Sequence, residues 1–180
     1  MNTPQVVTSD SALLKLAQQV GSVLSAHGLK LTSAESCTGG WIGQVMTAVP
    51  GSSAWYDRGF ITYSNLSKRQ MLCVQAQTLL QFGAVSEQTA REMAQGAHSM
   101  SQAQIAVSVT GIAGPTGGSV EKPVGTVCFA WVLESGAMLA SNSKTCYFHG
   151  DREAIRRQTV VTALQGVLEL LENSMPTGYA

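Results

Sequence analysis

Two strand-to-helix junctions hold the side chains best suited to chemistry. The first is Glu35-Ser36-Cys37-Thr38-Gly39-Gly40, which sets a hydroxyl, a thiol and a carboxylate beside two glycines. Where such a turn opens a helix, free backbone N–H groups and the positive end of the helix dipole favour an anion or a developing oxyanion. Glycine there lets a ligand approach the main chain. The plainer alternative is a helix cap by Ser36 or Thr38. The second junction is Thr62-Tyr63-Ser64-Asn65, with Lys68 about one turn into the next helix. Ligands of open α/β sheets bind beyond the carboxyl ends of strands, so both junctions can face one crevice. A lysine activates a serine when burial lowers its pKa and leaves it neutral. Taken alone, Lys68 reads as a solvated helix residue.

Two further segments qualify. The loop from Gly111 to Gly125 carries five glycines and two prolines. It fits neither the phosphate-loop pattern GxxxxGK[ST] nor the dinucleotide fingerprint GxGxxG. Loops this long without secondary structure are usually functional or disordered, and here its backbone N–H groups are candidates to line a pocket. The segment Gly150-Asp151-Arg152-Glu153, followed by Arg156 and Arg157, places arginines at a helix start, where they oppose the dipole. An anion there would offset that cost, and Arg152 and Arg156 share a helix face. The alternative is pairing with Asp151 and Glu153.

The elements that must position these residues follow from periodicity. A first helix is capped by Ser9 or Asp10, carries Leu13, Leu16, Val20 and Leu24 at helical spacing, and ends at Gly28. Leu29 to Ala34 reads as a strand. The helix after the first junction stops at Pro50-Gly51. Gly59 to Tyr63 reads as a strand, and Ser64 or Asn65 caps a helix with Lys68, Met71 and Leu72. Thr78 to Phe82 is helical up to Gly83. Ser86 caps a helix with Met93, Ala97 and Met100 on one stripe. Ile105, Val107 and Val109 mark a strand. Thr126–Leu133 and Met138–Phe148 read as a hairpin turning near Ser135-Gly136. Asp151 caps a long last helix with Ile155, Leu164, Leu168 and Leu171 inward. Alternating strands and helices with a late antiparallel pair predict an α/β fold, a three-layer α/β/α arrangement with a mixed sheet flanked by helices on both faces. A single domain is expected over residues 9–173, with flexible tails at 1–8 and 174–180.

Composition narrows the function classes. The 180 residues hold eleven basic and eleven acidic side chains, so the net charge is zero. That argues against a nucleic-acid binder, which needs a basic surplus. Only 12% of residues are charged, about half the usual share, which predicts a covered surface and hence a homodimer or larger homo-oligomer. No apolar run approaches the roughly 18 residues that span a bilayer, and the first ten residues do not read as a signal peptide, so no membrane partner and a cytoplasmic location are expected. Cys37, Cys73, Cys128 and Cys146 form no CxxC and have no histidine at ligand spacing. They read as reduced thiols, and no metal or other cofactor is expected. His27, His98 and His149 read as structural or solvent-facing.

Several motifs in order carry a resemblance. Ala34-Glu-Ser-Cys-Thr-Gly-Gly40, Gly59-Phe-Ile-Thr-Tyr-Ser-Asn65, Ala84-Val-Ser-Glu87, Gly111-Ile-Ala-Gly-Pro-Thr-Gly-Gly118, Lys122-Pro-Val-Gly-Thr126 and Gly150-Asp-Arg152 resemble the C-terminal domain family of competence/damage-inducible CinA proteins. The likeness spans about residues 10–172 and is greatest to the family's stand-alone nicotinamide-nucleotide amidases. It implies hydrolysis of the carboxamide of nicotinamide mononucleotide to nicotinate mononucleotide and ammonia, in pyridine nucleotide recycling, by a Ser/Lys pair. It makes Ser36 the nucleophile and Lys68 the base, with Tyr63 close to them as the third catalytic residue, and puts Thr110 and Arg152 on the substrate. The expected substrate-binding set is Thr38, Gly39, Gly40, Asn65, Thr110, Gly111, Gly114 and Arg152. N–H groups near Thr38 to Gly40 are the expected oxyanion donors, and Arg152 with the loop glycines the expected phosphate anchor.

Two rivals stand beside this reading. Cys37 could replace Ser36 as nucleophile, with Glu35 and Lys68 as partners. Alternatively the chain is a nucleotide-binding paralogue with weak or no turnover.

Overall fold

The computed structural model describes residues 9–174. Its elements run α1 (Asp10–His27), β1 (Leu31–Glu35), α2 (Trp41–Thr47), a single 3-10 turn (Ser52–Ala54), β2 (Tyr56–Ile61), α3 (Asn65–Leu72), α4 (Ala76–Phe82), α5 (Glu87–Ser99), β3 (Ile105–Gly111), β4 (Thr126–Ser135), β5 (Met138–Tyr147) and α6 (Arg152–Ser174). The five strands form one sheet in the order β2-β1-β3-β4-β5. The β2, β1 and β3 strands are parallel, and β4 and β5 run antiparallel to them. This is the expected mixed sheet of an α/β fold, covered on both faces.

The two faces are built from different residues. Odd-numbered positions of β3 and β4 (Ile105, Val107, Val109, Val127, Phe129, Trp131) pack against α1, α2 and α6. Even positions (Ala106, Cys128, Ala130, Val132) pack with Ala90, Met93, Ala94 and Ala97 of α5. The first face is large and aromatic: Phe129 and Trp131 stack at 5.6 Å, and the indole N–H of Trp131 donates to the Ala163 carbonyl of α6. The second face is mostly small, so α5 lies close to the sheet. A Cβ at Gly96 would stand 2.0 Å from the Leu72 carbonyl oxygen, and only glycine lets α5 come this near the end of α3. That contact fixes the helix that carries Lys68.

Several boundaries differ from the sequence expectation. β2 begins at Tyr56 and ends at Ile61 rather than spanning Gly59 to Tyr63. It is an edge strand whose half-exposed residues show no alternation, and Thr62 and Tyr63 have already turned toward α3. α2 ends at Thr47, whose hydroxyl donates back to the Gly43 and Gln44 carbonyls. Met100 is the exposed C-terminal cap of α5, not part of its buried stripe. Leu168 is half-buried. β3 is buried on both faces, as the central strand of a covered sheet must be. α6 includes Ser174, which the sequence expectation put in the tail. Residues 1–8 and 175–180 lie outside the described residues.

Candidate active site

The parallel strands deliver three consecutive chain exits to one sheet edge. Glu35 pairs with Ile61 on one side and Val109 on the other. One residue further on, Ser36 donates its N–H to the Val109 carbonyl and Thr62 donates its N–H to the Glu35 carbonyl. Ser36, Thr62 and Thr110 therefore emerge side by side. α3 starts just beyond, held by a capping box in which Ser64 Oγ accepts the Ser67 N–H and Ser67 Oγ accepts the Ser64 N–H. Lys68, one turn in, is buried. Its Nζ lies 2.9 Å from Ser36 Oγ and donates to the Thr62 carbonyl at 2.8 Å.

Burial pushes the Lys68 amine down to about 8, with only the nearby Cys37 pulling the other way. An amine in that range is available as a base near neutral pH. Cys37 sits at the same turn but is shielded. Burial raises its thiol to about 12, Glu35 adds to the rise, and its own backbone N–H, Arg156 and Lys68 oppose it. The structure does not assemble the rival Glu35–Lys68–Cys37 set: the lysine meets Ser36, and the carboxylate is turned elsewhere.

Glu35 fills the helix N-terminus that the sequence offered to an anion. Its Oε2 accepts the Thr38 hydroxyl at 2.7 Å and the N–H groups of Gly40 and Ile42 at 3.0 Å. Its Oε1 accepts the Gly43 N–H at 2.9 Å and the Ser33 hydroxyl at 3.3 Å. The Ser33 hydroxyl is bonded in turn to Tyr56 at 2.7 Å. Gly40 N–H is thus committed to a side chain of this chain and is not a free oxyanion donor. Gly39 N–H is committed to the Ser36 carbonyl. Among the described residues, the Thr38 N–H has no acceptor. Gly39 and Gly40 both take positive φ, +63° and +100°, which lets the turn wrap the carboxylate.

The carbonyls of the same turn are held from above. Arg156 donates to the carbonyls of Cys37 at 3.1 Å and Thr38 at 2.7 Å, and its guanidinium lies 5.2 Å from the centre of the Trp41 ring. A carboxylate gathers the N–H groups and a guanidinium gathers the carbonyls, so the turn after Ser36 is clamped from both sides. Sequence reasoning gave neither residue this role.

The other expected residues divide into two groups. Arg152 donates to the Tyr63 hydroxyl at 2.9 Å and to the Gly114 carbonyl at 2.8 Å, tying the glycine-rich loop to the second junction. With Thr38, Gly39, Gly40, Trp41, Gln44 and Arg156 it lines an open cleft of about 520 Å³. The rest take up places around this. Thr110 is buried, with its hydroxyl donated to the Ala84 carbonyl. Gly111 ends β3 against Val127, where a Cβ would stand 2.7 Å from its side chain. Asn65 is exposed at the first residue of α3. Arg157 pairs with Asp10 and Glu153.

Comparison with known proteins gives the family. The family model for the CinA C-terminal domain matches residues 13–171. Nicotinamide-nucleotide amidohydrolase PncC of Escherichia coli strain K12 is 54% identical over 157 residues, covering 87% of this chain and 93% of that protein. The protein of the same name from Pseudomonas putida is 48% identical over 155 residues, covering 86% and 94%. Among solved structures, the competence/damage inducible protein CihA from Agrobacterium tumefaciens superposes with a TM-score of 0.84 at 46% identity, covering 91% of this chain and 97% of that one.

Proposed function

The chain belongs to the CinA C-terminal domain family, and on that premise we propose that it is a nicotinamide-nucleotide amidohydrolase. It hydrolyses the carboxamide of nicotinamide mononucleotide to nicotinate mononucleotide and ammonia, in pyridine nucleotide recycling. Relatives at about half identity bear that activity in their names. The observation that carries the mechanism is the buried Lys68 amine 2.9 Å from the Ser36 hydroxyl.

A primary amide is a weak electrophile and its nitrogen a poor leaving group, so the site must supply a strong nucleophile and a proton. Neutral Lys68 takes the Ser36 proton as Oγ bonds to the carboxamide carbon, and the C=O electron pair moves to oxygen. The Thr38 N–H is a donor still free for that oxyanion. Lys68 then gives its proton to the amide nitrogen, the C–N bond breaks and ammonia leaves. Water, deprotonated by the same amine, attacks the acyl-serine, and the proton returns to Ser36 Oγ. Arg152 holds the 5′-phosphate in the cleft, with Tyr63 positioning it. Gly39, Gly111, Gly114 and Asn65 border the substrate, and the buried Thr110 and Thr38 side chains shape the walls.

The same proposal covers assembly and place. The domain of residues 9–173 works as a homodimer or larger homo-oligomer, supported by the exposed Ile61, Tyr63 and Leu66 beside the site. It works in the cytoplasm. Among the described residues no helix is long and apolar enough to cross a membrane. The test is incubation of the purified chain with nicotinamide mononucleotide. Stoichiometric ammonia and nicotinate mononucleotide are expected, and tight binding without ammonia release would leave the non-catalytic reading in its place.

A further inference from the structure

Thr62 is the one residue with a buried side-chain polar atom lacking a hydrogen-bond partner among the described residues. The residue is fully buried. Its N–H donates to the Glu35 carbonyl and its carbonyl accepts from Lys68 Nζ at 2.8 Å. Its hydroxyl alone is idle. Buried hydroxyls are rarely left so, because desolvation without a partner is costly.

Lys68 has a matching vacancy. A neutral amine has two hydrogens and a lone pair: the Ser36 hydroxyl meets the lone pair, the Thr62 carbonyl meets one hydrogen, and the other hydrogen already has no acceptor among the described residues, a want that becomes costly once the amine carries charge. When the Ser36 O–H bond breaks and an N–H bond forms on Nζ, the amine becomes an ammonium with three hydrogens. One faces the Thr62 carbonyl, and one is directed back along the Ser36 line toward the leaving nitrogen. The third needs an acceptor, in a buried site where an unsatisfied charge is most costly.

We propose that the Thr62 hydroxyl is that acceptor: Thr62 is a positioning residue that grips Lys68 with two oxygens, its carbonyl throughout and its hydroxyl when the amine is protonated during turnover. The two oxygens belong to one residue, and the first already holds Nζ at 2.8 Å. The contact strengthens as charge develops, which is the kind of interaction that raises kcat rather than lowering KM. Cys37 is the titratable neighbour acting on Lys68, and it stays a neutral thiol.

The proposal rests on the amidohydrolase reading, and its test separates the two. Thr62→Val keeps the shape and removes the hydroxyl, and Thr62→Ser keeps the hydroxyl. With nicotinamide mononucleotide, Thr62→Val should lower kcat about ten- to a hundredfold, the worth of one hydrogen bond to a charged group. KM should be nearly unchanged, and Thr62→Ser should restore most of the rate. Independently of turnover, the Lys68 ε-carbon followed by NMR should titrate lower in Thr62→Val, by about one unit, because its ammonium has lost an acceptor. A Thr62→Val enzyme with wild-type kcat and an unmoved Lys68 titration would overturn the proposal, as would a serine variant no better than the valine one. Absence of ammonia release from the wild-type chain would overturn the amidohydrolase reading instead, and the Lys68 titration would still decide the role of Thr62.

Discussion

The Glu35 carboxylate lies 3.0 Å from the Gly40 amide nitrogen, and the same oxygen takes the Ile42 N–H and the Thr38 hydroxyl. A side chain of the nucleophile turn therefore supplies the anion at the start of α2. Under the proposed function, substrate charge is met elsewhere, by Arg152 and its cleft. The same bonds set where Ser36 stands, because Glu35 immediately precedes it.

Glu35→Gln should accordingly harm both stability and rate. An amide offers one acceptor oxygen where five donors converge, and its NH2 meets either the Gly43 N–H or the Gly40 and Ile42 N–H groups. Leaving such groups unsatisfied costs about 2–4 kcal/mol, which for a chain of this size is roughly 5–15 °C in Tm. Thermal unfolding checks the first part. The second is a fall in kcat measured well below the new Tm. A variant as stable and active as wild type would show that the turn is held by Arg156 alone.

The dyad predicts a non-additive mutant series. Ser36→Ala and Lys68→Ala should each cut kcat by several orders of magnitude, and the double variant should be little worse, since the two act as one unit. Lys68→Arg should not rescue, because a guanidinium keeps its proton near neutral pH. Cys37→Ser should keep substantial activity, since a thiol pushed up to about 12 is not a thiolate at working pH. The measurement is kcat for variants matched in circular dichroism. A dead Cys37→Ser beside an active Ser36→Ala would install the cysteine instead.

Much of this arrangement is legible in the sequence, and what is not has physical causes. The junctions at Ser36 and Lys68 can be found because a strand, a polar glycine turn and a helix succeed one another in a local pattern. The α1 caps at Ser9 and Gly28 are equally local. The meeting of Ser36 and Lys68 depends on the parallel register of β1 and β2, which no short window contains. Arg156 reaches the Cys37 carbonyl across 119 residues of chain. Glu35 is invisible for another reason: a glutamate after four strand residues looks like a surface or catalytic group, and only the fold shows it buried under its own turn. The bounds of β2 are hidden because an edge strand need not alternate.

Lys68 should give the enzyme an alkaline-leaning profile. Its amine must be neutral to act, so kcat/KM should fall about tenfold per pH unit below about 8 and level off above it. Stability carries the same sign. The folded pKa, about 8, lies below the ordinary 10.5, so between them the unfolded chain binds more protons and folding strengthens as pH rises. Below pH 8 the full cost of the buried ammonium, on the order of 3 kcal/mol, is present. Denaturant unfolding of wild type and Lys68→Met should therefore diverge in favour of wild type between pH 8 and 10.5. A difference flat across that window would mean that Lys68 titrates normally.

Oligomerisation is testable directly. Ile61, Tyr63 and Leu66 are each more than half exposed, at the end of β2, in the connection after it and at the start of α3, an apolar group that a second copy would cover. Light scattering at micromolar concentration should give at least twice the 18.9 kDa chain mass. Leu66→Lys should shift that mass toward the monomer. A monomeric wild type would remove the proposal.

Arg152 and Arg156 line one cleft but should fail in different ways. Arg152 is bonded to Tyr63 and Gly114 at the mouth of the site, whereas two donors of Arg156 are spent on the carbonyls of Cys37 and Thr38. Arg152→Ala removes the proposed phosphate anchor, so KM for the nucleotide should rise about ten- to a hundredfold, as for one lost charge-assisted contact. The nucleoside, which has no phosphate, should lose little further. Arg156→Ala releases the nucleophile turn, so kcat should fall for nucleotide and nucleoside alike, with KM much less changed. Steady-state kinetics with both substrates separates the cases. If Arg156→Ala instead raises KM for the nucleotide alone, Arg156 is the phosphate anchor, and its contacts to the turn are incidental.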